Sequence, residues 1–197
     1  MRVVLLISLS FIFSCAQTVS DKELLNQKNT RLDLNKEEIE ARLTRFTFAR
    51  GGDFEFSATP ISNKLIEAEV NELSLINGLT ETEIQSYIKY RSQDLTSNKS
   101  CLKIKMSSIN SKERLDIRRW SLKIVDSLGR EYPVEIDPSS VRNYSQIFSG
   151  LYGLGQKRKS NAFVCSRVNI NWDQGFKFIF QRSMDRVSAE LAWGEDT

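Results

Sequence analysis

The chain has 197 residues and not one histidine. That absence excludes Ser-His-Asp and Cys-His catalysis, most zinc sites and the usual general base near neutral pH. Proline is scarce, at three residues, and no low-complexity tract or internal repeat stands out. Excess charge of one sign is lacking as well: 28 Lys and Arg face 25 Asp and Glu. Without a basic helix or an Arg/aromatic pattern, that balance argues against a nucleic-acid partner. No CxxC pair exists, which argues against a redox-active dithiol. Nothing in the sequence calls for a cofactor or a metal. What is present is an ordinary globular composition, 40% hydrophobic, 27% charged and 10% aromatic, enough for one domain with a real core.

The N-terminus carries an address. Met1-Arg2 forms a short positive region, and Val3 to Phe13 is apolar apart from Ser8 and Ser10. Small Ser14 then precedes Cys15. The layout is that of a secretory signal, too short and wrongly flanked for a spanning helix. The run Ile12-Phe13-Ser14-Cys15 resembles the lipobox of bacterial lipoproteins, with Phe13 fitting its looser forms. The resemblance implies a signal peptide of residues 1–14, lipidation at Cys15 and attachment to the membrane through the N-terminal lipid. Ala16 stands where that family's inner-membrane retention signal would be Asp, which implies the outer membrane, on its periplasmic face or at the cell surface. Several acyl chains, at about 0.8 kcal/mol per buried CH₂, make such an anchor permanent. Ser14-Cys15-Ala16 also fits an ordinary cleavage site that leaves Gln17 as the N-terminus of a soluble periplasmic or secreted protein.

Residues 15–43 read as a charged tether with short, marginal helices, Ile39 and Leu43 standing at i, i+4 in the second. Ser20-Asp21-Lys22-Glu23 and Asn35-Lys36-Glu37-Glu38 both look like capping boxes with few apolar residues after them. A single globular domain is expected over 44–197. Phe46 and Phe48, then Phe54 and Phe56, alternate on either side of Gly51-Gly52-Asp53, a hairpin pattern that places strands over 44–60. Residues 62–95 read as a helical hairpin. Ile66, Val70 and Leu73 keep helical spacing up to Gly78. Thr80 and Glu83 form a capping box, with Leu79 and Ile84 as its hydrophobic staple. Ile84, Tyr87, Ile88 and Leu95 make an apolar stripe expected to pack on a sheet.

From Cys101 the period changes to two. Leu102, Ile104 and Met106 alternate with lysines; Trp120, Leu122 and Ile124 follow, then a turn at Asp126–Gly129 and a return strand through Tyr132, Val134 and Ile136. Phe163 to Ile170, Phe176 to Phe180 and Val187 to Trp193 supply further strands out to 193, with the three phenylalanines Phe176, Phe178 and Phe180 on a core face. The expected class is mainly β with a helical insertion (α+β), an antiparallel β-sandwich with the helical hairpin on its N-terminal side. Two cysteines remain after Cys15. In an exported compartment Cys101 and Cys165 pair, or else stay as two small buried hydrophobes. A bridge across their 64-residue separation is worth about 4 kcal/mol on the chain-entropy account. A cysteine on each of two distant strands resembles the disulfide that joins the two sheets of immunoglobulin-like domains.

Few residues point to chemistry. Gly150-Leu151-Tyr152-Gly153-Leu154-Gly155 leads into Lys157-Arg158-Lys159, but the spacing is not that of a phosphate-binding P-loop. The segment reads as a long flexible loop whose basic tip meets an acidic partner, anionic lipid headgroups or a polyanion. Asp126, Glu131, Glu135 and Asp137 cluster around one hairpin, and glycoside hydrolysis would need two such carboxyls at a fixed separation in a cleft. Trp172, beside a turn, is the aromatic residue best placed for binding, but the core is the expected place for it as for the other aromatics. Asn98-Lys99-Ser100 and Asn143-Tyr144-Ser145 match the glycosylation acceptor pattern, which has no role in a bacterial lipoprotein. The function expected is therefore a non-catalytic binding or structural lipoprotein for a protein or glycan partner. A surface adhesin using the basic loop and a carboxylate-based hydrolase are the alternatives.

Overall fold

The computed structural model describes residues 35–49, 54–108, 115–150, 153–182 and 187–194. The signal segment with Cys15, the capping box at Ser20 and the turn at Gly51-Gly52-Asp53 lie outside the described residues.

The first described element corrects the tether. Asn35 caps helix α1 (Lys36–Leu43), with Glu38 completing the capping box in return. Ile39 and Leu43, at i and i+4, are buried at 2% and 0% exposure. The Leu43 carbonyl accepts a 2.6 Å hydrogen bond from Trp193 Nε1, the last strand's indole. Residues 36–43 therefore belong to the domain, because two apolar residues one turn apart suffice to seat a short helix when a sheet edge waits to receive them.

The strands follow the period-two reading. β1 (Arg45–Ala49) and β2 (Phe54–Pro60) pair antiparallel. The helical hairpin follows as α2 (Asn63–Asn77) and α3 (Glu81–Leu95). β3 (Ser100–Ser108), β4 (Ser121–Asp126), β5 (Glu131–Pro133) and β6 (Glu135–Ile136) come next. β7 (Arg142–Gly150) and β8 (Gly153–Ser166) form a long hairpin, and β9 (Phe176–Arg182) and β10 (Val187–Trp193) close the chain. They make two antiparallel sheets, a six-stranded one in the order β1-β2-β3-β8-β6 with β7 also on β8, and a four-stranded one in the order β10-β9-β4-β5. The return strand predicted through Tyr132 and Ile136 is split: β5 pairs with β4, while β6 crosses to β8 in the other sheet.

The inward faces meet in an aromatic core. Phe56 of one sheet lies 4.9 Å from Phe180 of the other, centroid to centroid, and 5.1 Å from Trp120. Phe176 stacks on Trp193 at 4.6 Å, beside the point where Gly175 and Gly194 approach. A Cβ on Gly194 would stand 2.7 Å from the Gly175 Cα, and both residues have positive φ, so glycine is required there. Trp172 is packed at 4.2 Å against Phe176 and is 5% exposed, so it is the core residue expected and not a binding aromatic. The architecture is thus a β-sandwich-like α+β fold.

Cys101 and Cys165 are disulfide-bonded. They are direct cross-strand partners of β3 and β8, within one sheet. Leu102, Ile104 and Met106 face the core, so alternation puts Cys101 on the outer side of that sheet. The bond therefore does not join the two sheets as in immunoglobulin-like domains.

The helical hairpin is set by local signals. Ser62 caps α2; Gly78, at φ 65°, ends it in the left-handed conformation only glycine adopts freely; Thr80 and Glu83 start α3. Its base packs on the core through Leu65, Ile66, Val70 and Leu95. Beyond Val70 it projects by about 10 Å at 1.5 Å per residue. Of the α3 stripe expected to pack on a sheet, Leu95 is buried, Ile84 and Ile88 are partly buried against the core, and only Tyr87 stands out from it. Tyr87 is 53% exposed. Among the described residues no helix is long and apolar enough to cross a membrane.

Candidate anion-binding site on the β7–β8 hairpin

The basic triplet is in a strand, not in a flexible loop. Lys157, Arg158 and Lys159 all belong to β8, paired with β7 on one side and, at Arg158 and Lys159, with β3 on the other. The apolar alternation that marks a strand is absent here, which is why polarity and glycine made the segment look like a loop. Strand geometry then separates the three charges, since successive side chains point to opposite faces.

Lys157 and Lys159 face outward. The Lys157 ammonium pairs with the Glu55 carboxylate, which also accepts a 2.8 Å hydrogen bond from Ser107. The bond from Lys157, and then that from Ser107, outweigh partial burial and hold the Glu55 carboxyl below its ordinary range. Lys159 Nζ sits 5.8 Å from the centre of the Tyr144 ring, within cation–π range.

Arg158 has the parity of the inward side. It lines a cleft of about 350 Å³ together with Lys159, Asn143, Tyr144 and Ser145 of the hairpin and Leu115, Asp116 and Arg119 of the segment before β4. Asp116 caps a single 3-10 turn, Ile117–Arg119, and receives the Arg118 guanidinium at 2.8 and 2.9 Å. That bond, aided by the Arg118 amide and outweighing partial burial, holds the Asp116 carboxyl below its usual value. The turn thus uses Arg118 to neutralise Asp116 and delivers exposed Arg119 to the cleft. Asn143 Oδ1 is fixed by a 2.6 Å hydrogen bond from Ser160.

Two guanidinium groups from separate elements, one ammonium and the Tyr144 and Ser145 hydroxyls line one polar cleft, a donor set suited to an anion. Arg119 was not singled out in the sequence, and Asn143, Tyr144 and Ser145 stood out there only as a glycosylation acceptor pattern, not as part of a binding site.

The four clustered carboxylates each have separate work. Asp126 accepts from the Arg130 and Leu128 amides, the Arg130 guanidinium and the Tyr132 hydroxyl. Desolvation pushes its carboxyl up, but these donors win and hold it at about 2. Glu131 pairs with Lys123 and Glu135 with Arg167. Asp137 caps the turn Pro138–Ser140, and the Ser139 hydroxyl and amide hold its carboxyl low. None of the four lines the cleft. Compared with protein-family models, curated proteins and solved structures, the chain matches none.

Proposed function

We propose that the protein is an exported, lipid-anchored binding module of the outer membrane that grips an anionic group of a protein or glycan partner without catalysing a reaction. The observation that carries this reading is the convergence of Arg119 and Arg158 on one cleft from two separate elements. Sulfate, phosphate or carboxylate groups fit such a donor set, because paired guanidinium forks match their oxygens. The lipobox at Cys15 supports confinement to a membrane surface, where display outward would make the module an adhesin and display inward a periplasmic binding protein.

The test is binding of an immobilised sulfated glycan by the purified protein, across a salt series. Affinity should fall steeply as salt rises. Arg119→Ala with Arg158→Ala should weaken binding at least tenfold, about 1.4 kcal/mol. Lys157→Ala should change it little, since that ammonium is already paired with Glu55. Binding that survives the double arginine change overturns the cleft. Intact mass of the native protein tests the anchor: acylation at Cys15 supports it, and an unmodified chain beginning at Gln17 contradicts it.

A further inference from the structure

Among the described residues ten large hydrophobic side chains stand exposed, and eight of them fall on just two surfaces. Leu73, Leu75, Ile76 and Tyr87 belong to the projecting half of the helical hairpin and Tyr90 lies just below it on α3, with exposures from 52% to 87%. Phe46, Phe48 and Tyr144 belong to the outer face of the six-stranded sheet, at 67%, 57% and 45%. Isolated exposed apolar residues need no explanation, but clusters rimmed by charge mark contact surfaces.

The two surfaces are opposite in charge. The segment 63–95 holds six carboxylates (Glu67, Glu69, Glu72, Glu81, Glu83 and Asp94) against three cations. The outer sheet face holds Lys103, Lys105, Arg142, Lys157 and Lys159, answered among the described residues by Glu55 and by Glu40 reaching over from α1. Register makes this face continuous. One row runs Phe46, Ser57, Lys105, Asn161, Arg142, and the next runs Phe48, Glu55, Ser107, Lys159, Tyr144. Five strands at about 4.8 Å spacing span about 19 Å. Two helices packed about 9 Å apart, each about 10 Å across, have the same width.

We propose that the occupant of each surface is a second copy of this chain, the acidic apolar hairpin of one molecule seated on the basic aromatic sheet face of the next. The contact is heterologous: every molecule in it still has one unused hairpin or one unused face, so assembly extends beyond pairs. It uses neither Arg119 nor Arg158, although Lys159 and Tyr144 border both that cleft and the sheet face.

Sedimentation of the purified protein, with two variants, tests the contact. Ile76→Ser with Tyr90→Ser blinds the hairpin; Phe46→Ser with Lys105→Glu blinds the face. All four positions are exposed. Wild-type protein should grow in mass with concentration in steps of one chain. Each variant alone should stay monomeric, with association weakened at least tenfold. An equimolar mixture of the two should form a dimer and nothing larger, because each supplies the surface the other lacks. That rescue also shows both variants to be folded. A wild type that stays monomeric at high concentration overturns the proposal, as does a mixture that stays monomeric. Dimers of the face-blind variant alone would overturn it too, by revealing hairpin-to-hairpin pairing.

Discussion

The sandwich and the helical hairpin obtain their form by different means. In the sandwich, burial decides: Phe54, Phe56, Phe178 and Phe180 are each at most 1% exposed, and the aromatic layer between the sheets fixes which face of every strand points inward. In the hairpin, local chemistry decides. Two N-caps, a capping box, a hydrophobic staple and a left-handed glycine define two fifteen-residue helices that are anchored along one side while Leu73, Leu75, Ile76, Tyr87 and Tyr90 stay exposed. Strong local signals can thus specify an element's shape without giving its apolar side chains anywhere to go inside the same molecule. The difference teaches where stability and interaction are separable in this chain.

Substituting in the sandwich should give the largest effect. Phe56→Ala removes a fully buried ring that contacts Phe54, Trp120 and Phe180. It should cost about 3–5 kcal/mol in chemical denaturation. A change as large from trimming exposed Tyr90 would break the comparison, since substitutions of that kind normally stay within about 0.5 kcal/mol.

Acid should act more gently and at the edge of the sandwich. The Asp126 carboxyl lies below its ordinary value of 3.8, at about 2. A depressed carboxyl contributes stability that is complete above the unfolded value and is lost as pH falls through the folded one. Denaturation midpoints should therefore hold steady above about pH 4 and decline between about pH 4 and about pH 2. Asp126→Asn should flatten part of that slope. In the hairpin, Glu83 is lowered in the same direction by the Thr80 amide and hydroxyl, so acid should also fray the start of α3.

Much of the fold was legible because its signals are local or periodic. The inward residues of β2, β3, β4, β9 and β10 alternate cleanly, and Thr80 with Glu83 mark a helix start with their own side chains. The disulfide partners were legible from compartment logic, but their geometry was not, because sequence spacing does not say whether two strands are neighbours in one sheet or face each other across a core. The capping box of helix α1 was legible, but its docking on the domain was hidden by its polarity, since only Ile39 and Leu43 are buried. The basic strand at Lys157–Lys159 was hidden for another reason: paired with β7 throughout and with β3 at Arg158 and Lys159, and half exposed, it needs no apolar alternation. The candidate cleft was the least legible part. It depends on a 3-10 turn using Arg118 for Asp116 so that Arg119 is presented, a division of labour between adjacent arginines that composition cannot reveal. The exposure of Leu73 and Ile76 was illegible in a similar way, because a helical stripe looks the same whether it meets its own sheet or another molecule's.

Amide hydrogen exchange, measured on dilute and on concentrated protein, tests most directly the claim that a self-sufficient sandwich carries a hairpin finished by another copy. In dilute solution, amides of β2, β3 and β9 should exchange only through global unfolding. Those around Ile76 and Tyr90 should open locally and much faster. On concentration, protection should rise at the end of the hairpin and along β1, and nowhere in the inner strands. Hairpin amides already as protected as the sheet in dilute solution, or indifferent to concentration, would contradict the account.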